Sequence, residues 1–295
     1  MKQLSLILIS LLCSSLCFGQ SQKLDFTTDF YDAVDKWAAL RTTVDSAYFV
    51  GFIYIDGMAG FSFRQVAIVK ETAKGLEIIP GDQQFGTTRR LGPGTPRVAV
   101  MSDETIEKLS STLPELSLER MLIRLQKEEQ QRTNYDKSSP SYLVKIGYWY
   151  NAIGASHRAI EHLLIAYEKE PHFERLEFEL AHAYNATQQF DKAIPVLQRA
   201  IRNNPQNALF YKELVFSFVN KDRLDDAEYV YLQGTKWTTD RKLKAEMAVN
   251  IAGGYQRIRN KAKFDEWAKL VEEYAGADSE WYQMIKNVAD NWDKR

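Results

Sequence analysis

The chain has 295 residues, 45% of them apolar and 26% charged, with 38 lysines and arginines against 39 aspartates and glutamates. That balance supports a packed core and excludes a disordered or collagen-like chain. The charges nearly cancel and form no run of one sign, which argues against a nucleic-acid binder with its basic face.

At the N-terminus, Lys2 precedes an apolar run from Leu4 to Phe18, followed by Gly19, Gln20 and Ser21. A run of about 15 residues is shorter than the ~20 that span a bilayer, and small Gly19 suits the position before a cleavage point. Residues 1–19 therefore read as a cleaved signal peptide, and the mature chain is expected in the periplasm or outside the cell. Both cysteines, Cys13 and Cys17, lie in this segment. A mature chain would then have no disulfide, no thiol chemistry and no Cys-bound zinc. Leu12 and Leu16 stand where a lipoprotein needs a small residue, which argues against a lipid anchor. No later stretch is long and apolar enough to span a membrane.

Residues 20–115 read as a small α+β domain. Tyr48 to Ile55 form a β-branched and aromatic run ending at Asp56-Gly57, and a second run, Phe61 to Val69, follows after a glycine-containing loop. Further strands are expected at Leu76 to Ile79 and Arg97 to Met101, separated by the turn segments Pro80-Gly81-Asp82 and Gly92-Pro93-Gly94-Thr95-Pro96. Phe30 to Leu40 fits either a helix or an edge strand. Ser102 reads as an N-cap, with Asp103 and Glu104 in the first turn and Ile106 and Leu109 on one face. Residues 116–139 combine a helical spacing of Leu118, Met121, Leu122 and Leu125 with a polar linker from Gln126 to Ser139.

Beyond residue 140 residue types return every 34 positions. Gly147, Ala181 and Val215 form a small or modest set; Tyr150, Tyr184 and Phe218 an aromatic one. Ala159, Ala193 and Ala227 are followed four residues on by Leu163, Leu197 and Tyr231, then by Ala166, Ala200 and Gly234, with Pro171 and Pro205 closing the first two units. Small residues at these places let two antiparallel helices approach, bulky aromatics fill the space beside them, and proline stops the second helix.

This pattern resembles the tetratricopeptide repeat, with units at about 140–173, 174–207 and 208–241 and the resemblance running to about 275. The resemblance implies a mainly α chain: the α+β domain, then an α-α superhelical array over 140–278. The departures are Leu143, Glu177 and Tyr211 at position four, and Thr239 where proline is expected. Met247, Ile251 and Tyr255, then Phe264, Trp267 and Val271, suggest one more hairpin out of register. A last helix over 279–295 carries Trp281, Ile285, Val288 and Trp292 on one stripe, as suits a C-terminal cap.

Enzyme signatures are lacking. His157, His162, His172 and His182 do not keep the i, i+4 spacing of a helical metal site, and there is neither a phosphate-binding loop nor a Gly-x-Ser-x-Gly. No metal and no cofactor is expected. Asn185-Ala186-Thr187 matches a glycosylation sequon. The resemblance implies a concave surface lined by the first helix of each unit. Carried over by unit position, it holds Tyr148 and Asn151, then Arg175, Phe178, His182 and Asn185, then Lys212, Phe216 and Asn220. Val144 and Tyr148 stand where a carboxylate clamp would need Lys and Asn, so that ligand type is not expected. These residues point to a non-catalytic scaffold that takes a protein or peptide in its groove. Two rivals are a hydrolase with its active site in residues 23–115, and an envelope glycan binder using the exposed aromatics.

Overall fold

The computed structural model describes residues 23–79, 87–114, 117, 120, 121, 123–125, 127 and 136–294. Residues 1–22, on which the expectation of a signal peptide falls, the turn Pro80-Gly81-Asp82, Leu118, Leu122 and most of the polar linker lie outside the described residues. Two compact units are present. One takes the chain up to Ile53 with Phe63–Arg89 and Pro96–Leu122; the other takes Tyr54–Ser62, Arg90–Thr95 and Ile123–Arg295.

The first unit is a sheet with one helix. Its strands are β1 (Lys36–Arg41), β2 (Ala47–Asp56), β3 (Gly60–Thr72), β4 (Gly75–Ile78), β5 (Thr88–Arg90) and β6 (Ala99–Val100), in the order β4-β3-β2-β1-β6 with β5 on β3. The segment from Phe30 resolves into a single 3-10 turn, Phe30–Asp32, and then β1. That strand is not an edge. It lies between β2 and β6, with Trp37, Ala38 and Ala39 all buried, because small alanines let the sheet be covered on both faces. Trp37 meets Phe52 edge to face at 5.5 Å in the core. The expected strand from Arg97 to Met101 shortens to Ala99–Val100, with an isolated bridge from Val98 to Thr28. Helix α1 (Asp103–Ser110) starts at Ser102, whose Oγ accepts from the Thr105 N–H, and buries Ile106 and Leu109.

The second unit is a stack of helical hairpins: α2 (Pro140–Ala152) with α3 (Ser156–Lys169), α4 (Leu176–Ala186) with α5 (Phe190–Asn203), α6 (Ala208–Asn220) with α7 (Leu224–Gly234), and α8 (Arg241–Arg257) with α9 (Lys261–Ala275). Helix α10 (Glu280–Asp290) closes the stack, burying Ile285 and, just beyond it, Trp292 against Phe264 at 4.8 Å. At the other end of this unit, the turn held by Asp56 Oδ1, which accepts from Met58 and Ala59 N–H, leads into Gly60 and Phe61. Phe61 packs edge to face on Tyr150 at 5.0 Å and Arg90 lies over Trp149 at 5.2 Å, which covers the open side of α2.

The repeated small residues sit where the helices approach. Ala159, Ala193 and Ala227 are all fully buried. A Cβ on Gly147 would lie 2.5 Å from Leu163 Cγ, so any larger residue at that crossing must displace the Leu163 side chain. Position four departs from the pattern without strain: buried Glu177 has Oε1 3.1 Å from His172 Nδ1, and the Tyr211 hydroxyl donates to the Pro205 carbonyl at 2.8 Å. The fourth hairpin leaves the 34-residue spacing for a simple reason. The 3-10 turn Thr235–Trp237 only replaces the last turn of α7, but α8 is 17 residues long against 13 for α6, so Tyr255 rather than residue 252 takes the aromatic place of Phe218.

Because Ala193 is fully buried, Ala193→Leu should overpack the α4/α5 hairpin and cost about 1–3 kcal/mol. Urea unfolding of the variant measures this, and an unchanged midpoint would contradict the close approach.

Candidate functional site

The first helices α2, α4, α6 and α8 share one face of the stack, and the residues expected to line it divide into two layers. The outer layer is aromatic and cationic. Tyr148 is 39% exposed, and the Arg175 guanidinium lies 5.2 Å from its ring centre. One repeat on, Phe178 stacks on His182 at 6.2 Å, and Lys212 Nζ lies 5.9 Å from the Phe178 ring centre. Phe216, half-buried, meets Phe190 at 6.2 Å, and the Asn220 amide donates to the Phe216 carbonyl at the exposed end of α6.

The inner layer consists of hydrogen-bonded rungs between adjacent first helices. Asn151 Nδ2 donates to the Glu179 carbonyl and to Glu179 Oε2, each at 3.0 Å. Asn185 Nδ2 repeats this with the Glu213 carbonyl at 3.0 Å and Oε2 at 2.9 Å. The free oxygen of each carboxylate takes a cation: Arg175 on Glu179 at 3.0 Å, and Lys212 on Glu213 at 3.3 Å with His182 at 3.7 Å. Lys212 also bridges to Glu246 at 3.3 Å.

Burial pushes the Glu213 carboxyl up, yet the His182, Lys212 and Asn185 contacts outweigh it and hold the group below the usual carboxylate range. The Glu213 carboxylate, 3.7 Å away, raises His182 against its own burial. Lys212 is also raised, because Glu213 and Glu246 more than offset its desolvation.

A family model described as the tetratricopeptide repeat matches residues 174–216, the segment that contains the second rung. That segment of the helical stack is a tetratricopeptide repeat, and the hairpins on either side return its residue types at the same spacing. Among solved structures the chain is similar to TTC0263, a thermophilic TPR protein of Thermus thermophilus, with 17% identity and a TM-score of 0.44 over 63% of this chain and 98% of that one. It is also similar to MamA MSR-1, with 18% identity and a TM-score of 0.39 over 54% of this chain and 83% of that one. For MamA AMB-1 the identity is 20% and the TM-score 0.41, over 58% and 95% of the two chains. No curated protein matches the chain.

Within the tetratricopeptide stack, Tyr148, Arg175, Phe178, His182, Lys212, Phe216 and Asn220 reach the first-helix face. Asn151 and Asn185 do not. They are only 9% and 4% exposed, and their amides are spent on the rungs, so the expectation that they hydrogen-bond a ligand is corrected: they hold the stack together. The sequon at Asn185 is buried for the same reason. Glu179, Glu213 and Ser217 escaped the sequence reading, although Asn and Glu both recur at the repeat spacing, as 151/185 and 179/213. The histidines scatter: His162 stacks on Tyr150 at 5.5 Å, His172 meets Glu177 and His182 meets Glu213. Among the described residues no group of three or more His, Cys, Asp or Glu could hold a metal ion.

The two rungs differ by one atom. Asn185 Oδ1 accepts from the Ser217 hydroxyl at 2.7 Å, whereas Asn151 Oδ1 has no partner among the described residues because Ala183 stands at the place equivalent to Ser217. Ala183→Ser should supply that donor and, after the small loss in helix propensity, stabilise by about 0.5–1 kcal/mol. Ser217→Ala should cost about 1–2 kcal/mol. If urea unfolding finds Ala183→Ser no more stable than the parent, the rung needs no third partner.

The His182–Glu213 pair also has a definite pH signature. A raised histidine contributes stability that is full below its unfolded value of about 6.5 and is lost as pH rises through the folded value. Glu213, lowered, acts in the opposite sense: its contribution is present above about 4.3 and is lost as pH falls through the folded value. The stability gap between the parent and His182→Gln should therefore be wider at pH about 6 than at pH about 9. Thermal melts at the two pH values decide it, and an equal gap would remove the pairing.

Proposed function

We propose that this chain is an exported, non-catalytic scaffold that binds an extended segment of a protein partner along the first-helix face of its tetratricopeptide array. Tetratricopeptide repeats are protein-interaction modules, and the reading rests on how this face is layered. Its counter-anions are inside and its cations outside: Arg175 is 59% exposed over a Glu179 that is 3% exposed. The same cations are pinned by those carboxylates above the rings of Tyr148 and Phe178, so the face is ordered before any partner arrives. Ordered aromatics give contact area at little further cost in conformational freedom. Among the described residues no helix is long and apolar enough to cross a membrane. The export part of the reading rests on Lys2 and the apolar run to Phe18.

Protein recovered from the envelope or medium of its own cell should have an intact mass that begins near Gln20; a mass retaining Met1 removes the export part. Random peptides displayed on phage and selected on that protein should yield binders. Tyr148→Ala and Phe178→Ala should weaken them by about 1–2 kcal/mol, roughly 5- to 30-fold, while changing stability by less than about 1 kcal/mol. Binders indifferent to both changes, or no binders at all, would defeat the assignment of this face.

A further inference from the structure

The third interface between first helices breaks the pattern of the other two. Helices α6 and α8 are clasped side by side at two points. Lys212 meets Glu246 at 3.3 Å at one end, and at the other the Arg257 guanidinium donates to the Val219 carbonyl and pairs with Asp222 at 3.2 Å. Glu246, Asn250, Gly253 and Arg257 fall at i, i+4, i+7 and i+11, so they share one side of α8. Phe216, midway between Lys212 and Asn220, is placed by these two clasps at the level of Asn250 and Gly253 on the neighbouring helix, with its ring against Phe190.

No rung forms here. Val219 stands where Asn151 and Asn185 stand, and with the three-residue shift Asn250 stands where Glu179 and Glu213 stand. The Asn250 side-chain amide, half-buried, has no hydrogen-bond partner among the described residues. Gly253 takes the place of Tyr148, His182 and Phe216. A Cβ on it would meet nothing within 4 Å, whereas one on the neighbouring Gly254 would lie 2.4 Å from Leu224 Cδ2. Packing thus requires Gly254 but not Gly253. A glycine inside a helix weakens it relative to alanine, so Gly253 carries a cost that the fold does not explain.

We propose that the strip formed by Phe216, Asn250 and Gly253 is the subsite where the partner's main chain comes closest to the array, and that it takes a non-acidic segment bearing an aromatic or large aliphatic side chain. Each feature matches one part of that occupant. The bare backbone at Gly253 admits another backbone at close range. The Asn250 amide carries one donor and one acceptor group, which complement a peptide unit. Phe216 offers a ring on which the side chain rests. At one end of the strip Lys212 is held between Glu213 and Glu246, and at the other Arg257 is paired with Asp222, so both cations beside it are engaged and an acidic residue would find no free counterion there. This inference rests on the reading of the first-helix face as the binding surface.

The test uses the mature protein and the peptides selected on it by phage display. Gly253→Leu should weaken them about tenfold or more, Asn250→Ala by severalfold, and the selected sequences should share a large apolar residue. Gly253→Ala should raise the melting temperature and still weaken binding, an opposition that a structural glycine would not produce; it also keeps the test decisive should leucine disturb the helix. If the peptides lose affinity with Tyr148→Ala but bind Gly253→Leu, Gly253→Ala and Asn250→Ala within twofold of the parent, the subsite is wrong and the wider reading stands. If no peptide is selected, both fall.

Discussion

A carboxyl group buried between two helices needs hydrogen bonds to replace the water it has lost, and the helical stack is organised around that requirement. Glu179 and Glu213 are almost fully buried, and each is met from the preceding first helix by an asparagine amide that holds both its carboxylate and its carbonyl. Such a two-point contact tolerates little sliding, so it sets the register of one repeat on the next. It also decides what the face looks like from outside. With one carboxylate oxygen spent inward, the other draws a cation down from above, and that cation lands over an aromatic ring.

Much of this was legible in the chain. The 34-residue return of small residues, aromatics and prolines identifies the helical hairpins because those positions answer to helix crossing, which admits few side chains. Ala159, Ala193 and Ala227 are all completely buried. Depth was harder to read. A repeat position tells which way a side chain sets out from its helix and not whether the next repeat covers it, so Tyr148 and Asn151 looked alike although one is half open and the other enclosed. The usable clue was pairwise: an asparagine and a glutamate recurring at one spacing, 28 residues apart each time, in a stretch where most neighbours are apolar.

The sheet shows a similar division. Runs such as Tyr48 to Ile55 declare themselves by β-branched and aromatic content, and β2 and β3 fall where such runs predict. β1 did not, because Ala38 and Ala39 are as much at home in a helix; its place between β2 and β6 comes from pairing partners distant in sequence. β5, only three exposed residues long, carries no pattern of its own and exists by its pairing with β3.

The exchange of a buried rung for two surface clasps at the α6/α8 junction changes how the last hairpin is coupled to the rest. The first two junctions depend on groups shielded from solvent, which dissolved ions scarcely reach. The third adds to its apolar packing the pairs Lys212–Glu246 and Arg257–Asp222, whose members are partly open to water. Attraction between such charges fades as ionic strength rises, over a screening length of about 8 Å near physiological salt. In a stack where each hairpin touches only its neighbours, cooperativity is the sum of its junctions. Salt therefore acts on this protein unevenly: at the α6/α8 junction it weakens the two clasps, while the close approach of Gly254 to Leu224 and Val219 and the rungs of the other two junctions are left as they are.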